Sequence, residues 1–163
     1  MSETPQTSAQ EQLDNTMPSH ELIASKKKWF DYPVRVHPHH TDYGGIVWHG
    51  TYLRWMEEAR VEYLRSMGMD YSDLVKLGCD LPVVELSLRY HRAMPMGTAA
   101  VVKTAIAEMK GVRIKWSYRI QSHDGKELYL TGRVILVPVD REQGKIMRKL
   151  PPVLKDLLEK LSS

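Results

Sequence analysis

Between Thr51 and Gly68 the chain reads TYLRWMEEARVEYLRSMG, and after Pro82 its apolar period drops from 3.6 residues to 2. Tyr52, Met56, Ala59, Tyr63 and Met67 recur at three- and four-residue spacing, with Leu53, Trp55 and Leu64 widening the stripe. That spacing predicts an amphipathic helix of about four turns, stopping near Gly68. Beyond Pro82, Val84, Leu86, Leu88 and Tyr90 alternate with Glu85, Ser87, Arg89 and His91. Val112, Ile114, Trp116, Tyr118 and Ile120 alternate still more cleanly with Arg113, Lys115, Ser117, Arg119 and Gln121, the pattern of a half-buried strand.

Other elements fit around these. WFDYPVRV at 29–36 predicts a first strand, MDYSDLVKLG a short helix ended by Gly78, and 98–109 a less regular strand. Lys110-Gly111 and Asp124-Gly125 predict tight turns, the second leading into LYLTGRVILVPV. A last helix is expected from about Pro152 to Leu161. Successive hairpins make the sheet mainly antiparallel, and its apolar face needs a cover. The long helix is the element large enough to provide it, so the sequence predicts an α+β fold with one sheet wrapped around one helix.

At 163 residues and 42% hydrophobic content the chain suits one core. Residues 1–28, rich in Ser, Thr, Gln and Pro, are expected to form a disordered tail ahead of a domain at 29–163. The N-terminus lacks the apolar centre of a secretory signal, and no apolar run reaches the roughly 18–20 residues that span a bilayer. The lone Cys79 excludes an internal disulfide framework and suits a reducing cytosol, so a cytoplasmic location is expected. A formal charge of +3 does not require nucleic acid as a partner.

The chemistry-bearing stretch is HPHHTDYGGIVWHG, with His37, His39, His40, Asp42 and His49 inside fourteen residues. These are enough donors for zinc. The order is wrong for the H-x-H-x-D-H run of metallo-hydrolases, however, because Thr41 and Asp42 stand where the aspartate and last histidine belong. Downstream of His49 only His91 and His123 remain as further histidines. Nucleophilic catalysis by a Ser or Cys pair has no Gly-x-Ser-x-Gly elbow to support it, and Cys79 in LGCDLP reads as a structural or semi-exposed thiol. A carboxylate-centred hydrolase fits better. Asp42 lies in a glycine-bearing loop after a strand, and His49 stands where the long helix starts. First-turn N–H groups lack intrahelical partners and carry positive partial charge, so they can stabilise an oxyanion. A nearby carboxylate can activate water or attack a carbonyl itself. Gly44, Gly45 and Gly50 let a substrate approach the backbone closely.

The run TDYGGIVWHGTYLRWMEEAR resembles the hot-dog-fold acyl-CoA thioesterases of the 4-hydroxybenzoyl-CoA thioesterase superfamily, especially the YbgC-like branch. That family shows T-D-x-x-G-x-V-x-H-x-x-Y before an acidic helix, and RYHRAMPMG is similar to its second signature. The resemblance covers about residues 29–150. It implies a hot-dog fold and metal-free, cofactor-free hydrolysis of an acyl-CoA or acyl carrier protein thioester. It further implies a homodimer or homotetramer whose protomers pair into a continuous sheet. Carried over by position, Asp42 is the catalytic carboxylate and His49 supplies the backbone N–H for the thioester carbonyl, its imidazole assisting. Glu57 matches an acidic helix position. Gly45, Trp48, Gly50, Arg89 and Arg92 are candidate substrate contacts, the arginines toward the carrier's phosphates. The chain departs from the branch at Pro38, where the branch has tyrosine, and at His39 and His40, which replace acidic residues. A hot-dog hydratase or dehydratase, or a non-catalytic acyl-binding module, are the competing readings.

Plainer readings stand beside these. His37, His39 and His40 suit a surface loop. Trp48 and Trp55 suit a core or a dimer interface, and Arg113, Lys115 and Arg119 suit a solvated sheet face.

Overall fold

The computed structural model describes residues 27–162. The expected tail therefore lies almost wholly outside the described residues. Its last two lysines already touch the domain: Lys27 Nζ donates to Ser117 Oγ at 3.2 Å and Lys28 Nζ to the Lys160 carbonyl at 3.1 Å.

The first strand, β1, runs Phe30–Arg35, and a 3-10 turn follows at Pro38–His40. The long helix α1 spans Thr51–Ser66 and buries Tyr52, Trp55, Met56, Ala59, Tyr63 and Leu64. Two residues of the expected stripe fall outside it. Leu53 is on the solvent side, and Met67 lies beyond the last helical residue with its side chain exposed. The helix stops there because Gly68 takes φ +87°, a conformation cheap only without a Cβ. The Met69 N–H then reaches the Leu64 carbonyl and the Gly68 N–H the Arg65 carbonyl, both at 3.0 Å. This Schellman closure satisfies carbonyls that the helix end would leave open. Helix α2, Tyr71–Lys76, is opened by Asp70, whose carboxylate accepts the Tyr71 N–H.

Strands β3 (Val83–Tyr90), β4 (Ala99–Lys110), β5 (Arg113–Gln121) and β6 (Leu128–Leu136) join β1 in a five-stranded sheet of order β1-β4-β5-β6-β3. Every pairing is antiparallel. A two-stranded ribbon pairs β2 (Cys79–Asp80) with β7 (Val139–Asp140), and helix α3 covers Pro152–Ser162. Ile114, Trp116, Tyr118 and Ile120 of β5 are all buried, as their alternation predicts. Helix α1 does not cover the sheet alone: α3 brings Leu154, Leu158 and Leu161 into the same core. Cys79 is fully buried, and burial pushes its thiol pKa up, which suits a structural thiol. Among the described residues no helix is long and apolar enough to cross a membrane.

The two sheet edges differ. Edge strand β1 carries Pro33, which has no N–H to offer a further strand. Edge strand β3 has no proline, and Val84, Leu86 and Tyr90 are 45%, 48% and 50% exposed. The clean alternation of β3 therefore marks an apolar face that one chain leaves open.

Candidate active site

Asp42 sits in a loop that its own carboxylate helps to close. Oδ1 accepts the Gly44 N–H at 2.8 Å and the Ile46 N–H at 3.4 Å, while the Asp42 N–H reaches back to the Ile46 carbonyl at 2.8 Å. Gly45 holds φ +75°, which lets the loop turn sharply. The side chain is exposed, and Oδ2 accepts no hydrogen bond from the described residues. One carboxylate oxygen is thus tethered and the other open.

The loop feeds directly into α1. The His40 carbonyl accepts the Trp48 N–H at 3.0 Å and the Thr51 hydroxyl at 2.9 Å, tying the 3-10 turn to the helix start. Gly50 is the N-cap, so His49 lies one residue before it, as expected. The backbone N–H groups of His49 and Gly50 meet no acceptor among the described residues. The His49 ring is exposed, tilted against Trp48 at 4.7 Å, and makes no hydrogen bond to Asp42. Trp48 itself is 49% exposed in the single chain and lies over Gly50.

The second signature docks on the first. The Val47 N–H donates to the Met94 carbonyl at 2.9 Å, and the Met96 N–H to the Gly45 carbonyl at 3.0 Å. The Tyr90 hydroxyl donates to the His49 carbonyl at 2.9 Å. Sequence reasoning assigned Tyr90 only to an apolar strand face, yet its hydroxyl makes a polar contact at the helix start. RYHRAMPMG was the available signal.

Other candidates stand apart from this cluster. Glu57 is exposed on α1 and lines a cavity of about 70 Å³ with Arg60, Tyr71 and Trp116. No hydrogen bond among the described residues joins it to Asp42 or His49. Arg89 alternates with Tyr90 and so points to the sheet's outer face, beside Ser87, Thr131 and Arg133. Arg92 pairs with Glu127. The three histidines of HPHH cluster with ring centroids 4.0–5.7 Å apart, His37 stacked on His39 and His40 tilted against both, and the His37 N–H donates to His40 Nδ1. Burial, then the neighbouring His39 and His37, lower the His40 pKa. Among the described residues no three His, Cys, Asp or Glu side chains are grouped as metal ligands. The larger cavities, of about 510 and 810 Å³, include neither Asp42 nor His49.

The thioesterase-like superfamily profile matches residues 36–161. The chain belongs to the thioesterase-like superfamily. It is 57% identical over 141 residues to the Synechocystis sp. protein sll0410, which is named only as an esterase, covering 86% of this chain and 85% of that one. It is 36% identical over 92 residues to the acyl-CoA thioesterase YbgC of Haemophilus influenzae, covering 56% and 68%. The structure matches the DHNA-CoA thioesterase of Staphylococcus aureus with a TM-score of 0.74 and 27% identity, over 81% of this chain and 89% of that one. The hot-dog fold and the YbgC-like resemblance expected from TDYGGIVWHGTYLRWMEEAR therefore hold, and thioester hydrolysis is the enzyme class of the family to which this site belongs.

Proposed function

We propose that the chain hydrolyses an acyl-CoA thioester to a free acid and CoA thiol, by a metal-free route centred on Asp42. The observation that carries this reading is the pairing of an open carboxylate oxygen on Asp42 with a helix start whose His49 and Gly50 N–H groups are free. The thioester carbonyl oxygen would lie against those N–H groups, where the helix dipole favours the developing negative charge. Asp42 would either take a proton from the attacking water or attack the carbonyl carbon itself. In the second case the C–S bond breaks, thiolate leaves and takes a proton, and water then opens the mixed anhydride. The His49 imidazole, exposed beside Trp48, would position the water or the leaving group.

The CoA carrier is supported by the names of the relatives, an acyl-CoA thioesterase and a DHNA-CoA thioesterase. A homodimer, or a tetramer built from two, is the matching assembly. The proline-free, apolar edge of β3 suits strand pairing between two copies, whereas Pro33 blocks β1. A second copy would also supply a wall beside Asp42.

The test is a free-thiol assay of the full chain against a panel of acyl-CoA and acyl carrier protein thioesters, before and after dialysis against a chelator. Steady thiol release from at least one acyl-CoA, unchanged by dialysis, is expected. Binding without release across the panel would remove the enzymatic reading, and stoichiometric zinc with activity lost to the chelator would remove the metal-free one.

A further inference from the structure

Tyr90 ends β3 with its ring on the inner face, where it meets the Tyr52 ring edge-on at a centroid separation of 5.5 Å. Its hydroxyl donates to the His49 carbonyl at 2.9 Å, across 41 residues of sequence. That carbonyl accepts no other hydrogen bond among the described residues. It belongs to the same peptide group as the Gly50 N–H. In a trans peptide the C=O and N–H point in opposite directions, and the described chain holds no cis peptide. Anchoring the oxygen toward β3 therefore aims the Gly50 N–H away from β3, at the open helix mouth. The same bond draws electron density from the amide, which makes its N–H a stronger donor.

Gly50 has special need of such an anchor. It has no side chain to hold its backbone, and no side chain caps the helix at this position. Without Tyr90, thermal rotation of the His49–Gly50 peptide would blur the direction of the N–H.

We infer that Tyr90 is a positioning residue for the oxyanion contact: its hydroxyl orients and polarises the His49–Gly50 peptide that faces the thioester carbonyl. Its kinetic consequence rests on the thioesterase reading above. Its structural consequence rests on the hydrogen bond alone.

Tyr90→Phe in the full chain keeps the ring against Tyr52 and removes only the hydroxyl. With an acyl-CoA that the wild type turns over, kcat falls about 10-fold while KM stays within about two-fold, the split expected for a contact made only in the transition state. Loss of a direct oxyanion donor costs about 10²–10³, so an indirect effect lies below that. In nitrogen-15-labelled protein the Gly50 amide resonance moves, while amides of the later turns of α1 stay in place. An unchanged kcat, or a change confined to KM, overturns the inference, as does an unmoved Gly50 resonance. If the wild type releases no thiol from any substrate, the thioesterase reading fails by itself. The amide comparison then decides Tyr90 in either direction.

Discussion

Trp48 lies across Gly50 so closely that a Cβ built on Gly50 would stand 2.1 Å from Trp48 Cζ3. The glycine is set by this contact and not by backbone strain, because its φ of −82° and ψ of −19° suit any residue. The indole thus forms a flat apolar wall beside the free N–H groups of the helix start.

Gly50→Ala forces the indole away. Since Trp48 is half-exposed, the fold gives way cheaply, at about 1 kcal/mol or less. Tryptophan fluorescence shifts, and kcat/KM for an acyl-CoA falls about 10-fold as the wall moves. Trp48→Ala removes the same wall outright, so the double variant should lose little more than either single variant, a non-additive pair. Equal activity in wild type and Gly50→Ala would show that the indole does not border the substrate.

The open face of β3 predicts an assembly. Leu86→Lys places a charge on the inner face of the edge strand, where Leu86 is 48% exposed in the single chain. Light scattering after gel filtration is expected to show a dimer or tetramer for the wild type and a monomer for the variant, with thiol release lost in parallel. A variant that keeps the wild-type mass places the interface elsewhere.

Alkaline pH tests the packing around the helix start. Burial, and then the nearby Tyr90, push the Tyr52 pKa up to about 12 from an ordinary value near 10. The folded state therefore keeps the Tyr52 proton at pH values where the unfolded chain has lost it. Its contribution to stability is complete below pH 10 and is lost as pH rises toward 12. Melting temperature should fall over that window, and Tyr52→Phe should flatten the fall. An equally steep fall in Tyr52→Phe assigns it to other groups, with Tyr63 and Tyr118 also raised by burial.

Local periodicity made α1 and β5 legible, because Tyr52, Met56, Ala59 and the Ile114–Ile120 set face one core that their spacing already announces. The places of Asp42 in a glycine-bearing loop and of His49 beside the helix start were legible through motif and position. The Tyr90–His49 bond was not, because a strand pattern reports which face a ring occupies and says nothing of where its hydroxyl ends. The role of α3 was obscured by its short length, and β2 and β7, at two residues each, are too short to show a period. Of the apolar residues of β3, Leu88 packs against the core while Val84, Leu86 and Tyr90 stay about half-exposed, since alternation cannot tell a strand covered along its whole face from one at the sheet edge. Arg92, a candidate for the carrier's phosphates, pairs in the single chain with Glu127 of the β5–β6 hairpin, a partner that no local pattern announces.

Asp42→Asn measures the central claim most directly. The amide oxygen of asparagine can still accept the Gly44 N–H that Oδ1 takes at 2.8 Å, so the loop and the fold should survive. Binding of a non-hydrolysable acyl-CoA thioether should persist, while thiol release from the matching thioester drops by about 10³ or more, as expected when a catalytic carboxylate is neutralised. Turnover by Asp42→Asn at the wild-type rate would contradict the account.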